Sequence, residues 1–195
     1  FEAISIEINE LIIKSELKNG YVYYQISRGV DPIRSHMFGH DLTEETFGYV
    51  VSHSFGSQIL KVMFCEDLRW QRCDIKSTSL LGNVMSMNNA KNKGCDEVIM
   101  HKNNIITEGG ASNVFFANDK CVFTPRLSEN ILPGITVEEG EYTIDDLINA
   151  KSIWLTSSTK GLAQVSEVID QKINIQLDHP LFKKCEELFI NNYLS

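Results

Sequence analysis

Residues 97–124 read EVIMHKNNIITEGGASNVFFANDKCVFT. Four short runs rich in β-branched and aromatic residues, 97–101, 105–107, 113–118 and 121–124, are separated by polar breaks. The breaks at 102–104 and 118–120 carry Asn and Asp, which tolerate the left-handed backbone of tight hairpin turns. This stretch is therefore a hairpin array, ended by Pro125. Upstream of it, Leu80, Leu81, Val84, Met85, Met87 and Ala90 predict a helix over 80–93 closed by a Gly94 cap. Downstream, the pattern predicts a short helix over 144–150, strands over 152–156 and 164–169, and a final amphipathic helix over 180–193 opening on Pro180. Toward the start, Ile4, Ile8, Leu11 and Ile12 predict a helix over 1–17 stopped by Asn19-Gly20. A strand over 21–28, a loop over 29–39 with Pro32, and strands over 47–54 and 58–65 come next. Short strands mixed with a few helices, without strict βαβ alternation, indicate an α+β fold rather than a doubly wound sheet.

The 195 residues are 43% hydrophobic and 23% charged, a globular composition that excludes a disordered or fibrous chain. A net charge of −8 with no basic stripe argues against sequence-independent nucleic-acid binding. No apolar run reaches the roughly 20 residues of a membrane span, and no secretory leader opens the chain, so a soluble protein is expected. The five cysteines are odd in number, dispersed and never in a C-x-x-C pair, which argues against a disulfide framework or thiolate metal site and for a reducing cytoplasm. His40, His53, His101 and His179 have no carboxylate or cysteine at ligand spacing, so no metal site is predicted. The opening on Phe1 rather than Met implies that the natural start lies upstream.

Four polar segments beside strands carry groups capable of chemistry: RWQRCDIKS (69–77), TEGGASN (107–113), LPGIT (132–136) and TSST (156–159). Singly, each has an ordinary structural use as a solvated surface, a turn or a cap. Together they describe a site for a phosphate-bearing heterocycle. The backbone N–H groups at 134–136 and the Ser157 and Ser158 hydroxyls suit a dianionic phosphate. Lys76 offers an amine that forms Schiff bases with carbonyl compounds when burial or neighbouring cations such as Arg69 and Arg72 keep it partly neutral. Glu108 would then oppose the ring nitrogen.

The strings YVYYQISRG (21–29), IRSH (33–36), EDLRWQRCDIKSTSLLGNV (66–84), GCDEVIMHKNNIITEGGASNVFF (94–116), ILPGIT (131–136) and WLTSST (154–159) occur in an order and spacing that resemble the class IV, fold-type IV pyridoxal-phosphate aminotransferases, above all those acting on D-amino acids. The resemblance implies pyridoxal 5'-phosphate as cofactor and a two-domain α+β fold with an incomplete N-terminal part. Residues 1–66 would be the remainder of a smaller α/β domain, and 67–195 a larger barrel-like domain carrying the cofactor lysine. Lys76 would carry the cofactor and move a proton at the substrate α-carbon, while Glu108 keeps the pyridine nitrogen protonated. Leu132 would pack on the ring, and Ile135, Thr136, Ser157 and Ser158 would bind the phosphate. Arg34 and His36 match an Arg-x-His pair that captures the substrate α-carboxylate, on a loop reaching into the site across a dimer interface. The implied activity is amino transfer from a D-amino acid such as D-alanine to a 2-oxo acid such as 2-oxoglutarate, by a homodimer. Aminodeoxychorismate lyase or branched-chain aminotransferase of the same family is the alternative, and an inactive relic with a binding or structural role is the reading outside the class.

Three departures from the family pattern stand out. Nothing before Phe1 supplies the family's pocket tyrosine and phosphate-binding arginine. Thr136 runs directly into Val137-Glu138-Glu139 where the family continues with an arginine and a helix, which implies an omitted segment with Thr136 and Val137 not bonded to each other. Ala111 stands where many relatives carry serine.

Overall fold

A computed structural model of the chain describes residues 2–37, 39, 41–128, 138–169 and 171–194. The Thr136–Val137 junction falls outside the described residues. The chain divides into two compact units, Phe1–Phe55 and Gly56–Ser195.

In the first unit, helix α1 (Glu2–Ser15) accompanies an antiparallel pair, β1 (Gly20–Ser27) and β2 (Glu45–Ser52), in register from Gly20↔Ser52 to Ser27↔Glu45. Glu7 of α1 accepts hydrogen bonds from the Tyr24 hydroxyl of β1 and, at 3.2 Å, from the Thr46 hydroxyl of β2. The helix ends at Ser15, short of the predicted stop, because the Ser15 hydroxyl bonds back to the Ile12 carbonyl at 2.8 Å and accepts the Leu17 N–H. Gly20 instead starts β1.

The second unit contains β3 (Gln58–Glu66), α2 (Leu81–Asn92), β4 (Glu97–Lys102), β5 (Ile105–Gly109), β6 (Asn113–Ala117), β7 (Val122–Pro125), β8 (Glu138–Gly140), α3 (Ile144–Ile148), β9 (Ser152–Ser157), β10 (Gly161–Val168) and α4 (Pro180–Tyr193). Among the described residues its strands form one eight-stranded sheet in the order β5-β4-β3-β10-β9-β6-β7-β8. β3 lies inside this sheet, parallel to both β4 and β10. The division between the units therefore falls after Phe55 rather than after Glu66, since a boundary at 66 would strip β3 from both of its neighbours. The parallel β3–β4 pair also dictates its own connection. Parallel strands cannot be joined by a tight turn, so residues 67–96 form a long crossover through α2.

Helix α2 ends as its glycine predicts. Gly94 takes φ +75°, its N–H bonds the Lys91 carbonyl at 3.0 Å, and the Cys95 N–H bonds the Ala90 carbonyl at 2.9 Å. The β4–β5 hairpin turns on Asn103 and Asn104, both at positive φ. β5 then runs on to Gly109, past the predicted end at Thr107, so Glu108 stands in a strand rather than in a turn. β8 is not legible as a strand from its residues; it has three of them and pairs parallel with β7, bringing Gly140 opposite Pro125.

Alternation along the strands buries both faces of the sheet. Ile99, Ile153 and Leu155 join Val62, Ile106, Val114 and Val165 in one cluster. Val98 and Met100 turn the other way, packing with Ala90 of α2, and Trp154 packs with Phe115 and with Phe182 of α4. Each fully buried side chain of this size contributes about 1.5–3 kcal/mol. The β5 edge is drawn onto the stretch beyond β8 by the Ile106 N–H to Tyr142 carbonyl bond at 2.8 Å, the Ile144 N–H to Asn104 carbonyl bond at 3.1 Å and a bridge between Ile105 and Thr143. The sheet consequently curls toward a barrel.

Candidate functional site

The crossover after β3 begins with Asp67, whose N–H donates to the His101 carbonyl of β4 at 2.7 Å. Two residues on, Arg69 returns its guanidinium to Asp67, with Nε at 2.9 Å from Oδ1 and Nη2 at 2.6 Å from Oδ2. The remaining fork nitrogen, Nη1, donates to Glu108 Oε1. The Thr107 hydroxyl donates to Asp67 Oδ2 at 2.9 Å. All three charged side chains are 10% exposed or less. Burial opposes charge on Asp67, but the Arg69 hydrogen bonds and charge together with the Thr107 hydroxyl outweigh it and hold the carboxyl below its usual range. Burial opposes charge on Arg69 as well, and its two carboxylate partners more than offset that and stabilise the guanidinium.

A second buried cluster lies one turn beyond Glu108. Glu97, fully buried at the start of β4, accepts the Gly110 N–H at 3.0 Å and the Val98 N–H at 3.2 Å on Oε1, and the Ser112 hydroxyl at 3.4 Å and Lys160 Nζ at 2.8 Å on Oε2. Gly110 fits only without a side chain, because a Cβ there would meet Met87 and lie 2.7 Å from Glu97 Oε1. The Asn83 amide of α2 donates to the Gly110 carbonyl at 2.8 Å. Glu97 thus ties the turn that comes after Glu108 to the β9–β10 hairpin, which carries Ser157 at the end of β9 and Ser158 in its turn.

Ser157 is half-buried at the end of β9, where its hydroxyl accepts the Lys160 N–H at 3.1 Å. Ser158 is exposed in the hairpin turn. Lys76 is exposed on the crossover and makes no hydrogen bond or ion pair among the described residues. The cations expected to act on its amine are engaged elsewhere: Arg69 by Asp67 and Glu108, and Arg72 by Asp74 at 3.0 and 3.1 Å. Arg34 and His36 lie in the first unit, both exposed, in the irregular segment after β1. Leu132, Ile135 and Thr136 lie outside the described residues. All five cysteines are free thiols. Among the described residues no helix is long and apolar enough to cross a membrane.

Sequence patterns do not single out Asp67, Glu97 or Lys160. A signal exists for Glu97, since a charged residue opening the apolar run EVIM of a buried strand demands a partner. For Asp67 the signal is weaker, an Asp-x-Arg step leaving a strand. The donor set suits pyridoxal phosphate: two buried carboxylates sharing one guanidinium retain a negative charge that a protonated ring nitrogen would neutralise, and an amine and hydroxyls are available on the crossover and hairpin.

Comparison with known proteins establishes the family. The amino-transferase class IV family matches residues 1–168. A D-alanine aminotransferase of Bacillus licheniformis is 30% identical over 97% of this chain and 73% of its own length. One of Staphylococcus haemolyticus is 29% identical over 96% of this chain and 73% of its own length. Among solved structures, a branched-chain aminotransferase of Thermoproteus uzoniensis superposes with a TM-score of 0.82 at 19% identity, covering 96% of this chain and 69% of that one. A fold IV transaminase of Curtobacterium pusillum gives 0.78 at 19% identity, covering 99% and 71%. By the extent of the family match and the shared fold, the chain belongs to the class IV aminotransferases, enzymes that depend on pyridoxal 5'-phosphate.

Proposed function

We propose that this aminotransferase moves the amino group of a D-amino acid such as D-alanine to a 2-oxo acid such as 2-oxoglutarate. The observation that carries the reading is the buried Glu108 carboxylate with its shared guanidinium, in a chain whose curated relatives are named D-alanine aminotransferase. Lys76 would hold pyridoxal phosphate through its amine, Glu108 would accept a hydrogen bond from the ring nitrogen, and Leu132 would pack on the ring. Ile135, Thr136, Ser157 and Ser158 would hold the phosphate. When bound, the cofactor supplies an electron sink for the charge left on the substrate α-carbon. The Lys76 amine takes the α-proton and later returns a proton, as a general base and then a general acid. Glu108 stays ionised to keep the ring proton in place, a task an amide cannot perform. Arg34 and His36 would bind the substrate α-carboxylate by charge-assisted hydrogen bonds, on a loop that crosses the interface of a homodimer.

Exposed apolar side chains on the crossover and α2, Trp70, Leu81 and Met85, support that homodimer, which sedimentation equilibrium would test. The five free thiols support a reducing cytoplasmic setting.

The decisive assay mixes the protein with D-alanine, 2-oxoglutarate and pyridoxal phosphate and follows pyruvate. Pyruvate formation dependent on Lys76 is the expected result. Turnover of L-leucine in place of D-alanine would assign the branched-chain activity. An Arg34→Leu variant that loses D-alanine turnover but still cleaves aminodeoxychorismate would assign the lyase. A protein that gains no colour with pyridoxal phosphate, and a Lys76→Ala variant indistinguishable from it, would assign an inactive relic.

A further inference from the structure

We infer that Asp67 is a positioning residue that sets the charge of the cofactor site, occupying part of the Arg69 guanidinium so that Glu108 retains a negative charge for a cationic ring nitrogen. The inference rests on the proposed function, in which Glu108 faces that nitrogen. An Arg69–Glu108 pair by itself would be neutral, and a buried neutral pair has little electrostatic use for a further proton. In the structure the guanidinium is divided: Nε and Nη2 go to Asp67 at 2.9 and 2.6 Å, and Nη1 goes to Glu108. One guanidinium between two carboxylates leaves the triad with a single net negative charge. In a buried setting that charge acts at far greater strength than it would in water.

Asp67 is itself held for the purpose. Its N–H is fixed on β4 by the His101 carbonyl, and its Oδ2 accepts the hydroxyl of Thr107, the residue next to Glu108 on β5. Neighbouring titratable groups leave the balance unaltered. The Cys73 thiol, which senses Arg69, Asp67 and Glu108, and the Cys65 thiol, which senses Asp67 and Arg69, are both pushed up by burial and stay neutral, and the Glu97–Lys160 pair cancels itself.

The test uses the full chain loaded with pyridoxal phosphate labelled with ¹⁵N in the ring, and reads the nitrogen chemical shift and the cofactor affinity rather than turnover. The wild type is expected to show a protonated nitrogen. Asp67→Asn should move the signal to the unprotonated form and weaken cofactor binding by about 10- to 100-fold, the size of the loss when an outer partner is removed from a metal ligand. The double variant Asp67→Asn/Arg69→Gln, in which Glu108 carries the triad's charge without either partner, should recover the protonated signal. A purely structural role for Asp67 makes the double variant no better than the single one. A protonated nitrogen in Asp67→Asn, or no recovery in the double variant, overturns the inference. Should Asp67→Asn lack a cooperative melt, Asp67→Leu/Arg69→Leu decides alone, a protonated signal supporting the inference and an unprotonated one overturning it. A wild type that takes up no cofactor overturns the reading of Glu108 and this inference with it, whereas a protonated wild type with an unchanged Asp67→Asn overturns the inference alone.

Discussion

At Asp67, burial and pairing pull in opposite directions and pairing wins, which gives the residue a measurable signature in stability. Asp67→Asn leaves Arg69 paired with Glu108 but removes the charge-assisted hydrogen bonds from Arg69 to Asp67, so it should cost about 1.5–3 kcal/mol in urea unfolding. The sign of the pH effect comes from a carboxyl held below its unfolded value of about 3.9. Its contribution is complete above that value and is lost as pH falls through the lower folded value, so the wild type should lose this increment below about pH 4. The Asn variant should lack that part of the slope. Lys76 is the opposite case. It is exposed, so Lys76→Ala should shift stability by no more than about 0.5 kcal/mol while abolishing turnover, a separation that urea titration beside the pyruvate assay would detect. Lys76 and Glu108 are proposed from sequence because their strings are the densest matches to the family pattern. The Asp67–Arg69–Glu108 linkage is not, since 39 residues separate Arg69 from Glu108 and only the β3–β4–β5 register brings them together.

Among elements, the β4–β5 hairpin and the β9–β10 hairpin make separable predictions. Asn103 and Asn104 both hold positive φ, a conformation that penalises a side chain lacking a local hydrogen bond. Asn104→Ala should therefore destabilise the protein by about 1 kcal/mol, and Asn104→Gly should be neutral or better, by thermal melting. The turn chemistry is readable from the residues alone because it depends on local sterics. The tie between hairpins is different in kind. Lys160→Met would leave Glu97 buried without its cation and should cost about 3 kcal/mol. The loosened 109–112 turn and Ser157 hairpin should then weaken pyridoxal phosphate binding, seen by absorbance titration. The Lys160–Glu97 pair spans 63 residues, and no local pattern announces it.

For the whole molecule, the two units differ in what they bury. No described residue of Phe1–Phe55 is buried, whereas Gly56–Ser195 holds the clusters around Ile99, Met100 and Trp154. A helix on a two-stranded ribbon without a core is marginal at best in water. A fragment of residues 56–195 should thus melt cooperatively by circular dichroism, and a fragment of residues 1–55 should not.

The sequence by itself determined the α+β class, nearly every element, the hairpin turns and the residues by which the family is recognised. All of these come from periodicity, turn sterics and local strings. Only the tertiary structure decided that β3 belongs to the larger sheet, that β7 gains a short parallel neighbour in β8, and that Arg69 serves Glu108 rather than Lys76. Strand order and ion pairing depend on which distant segments share a buried interface, where a charge must find a partner or remain costly, and that requirement is met by the folded chain as a whole.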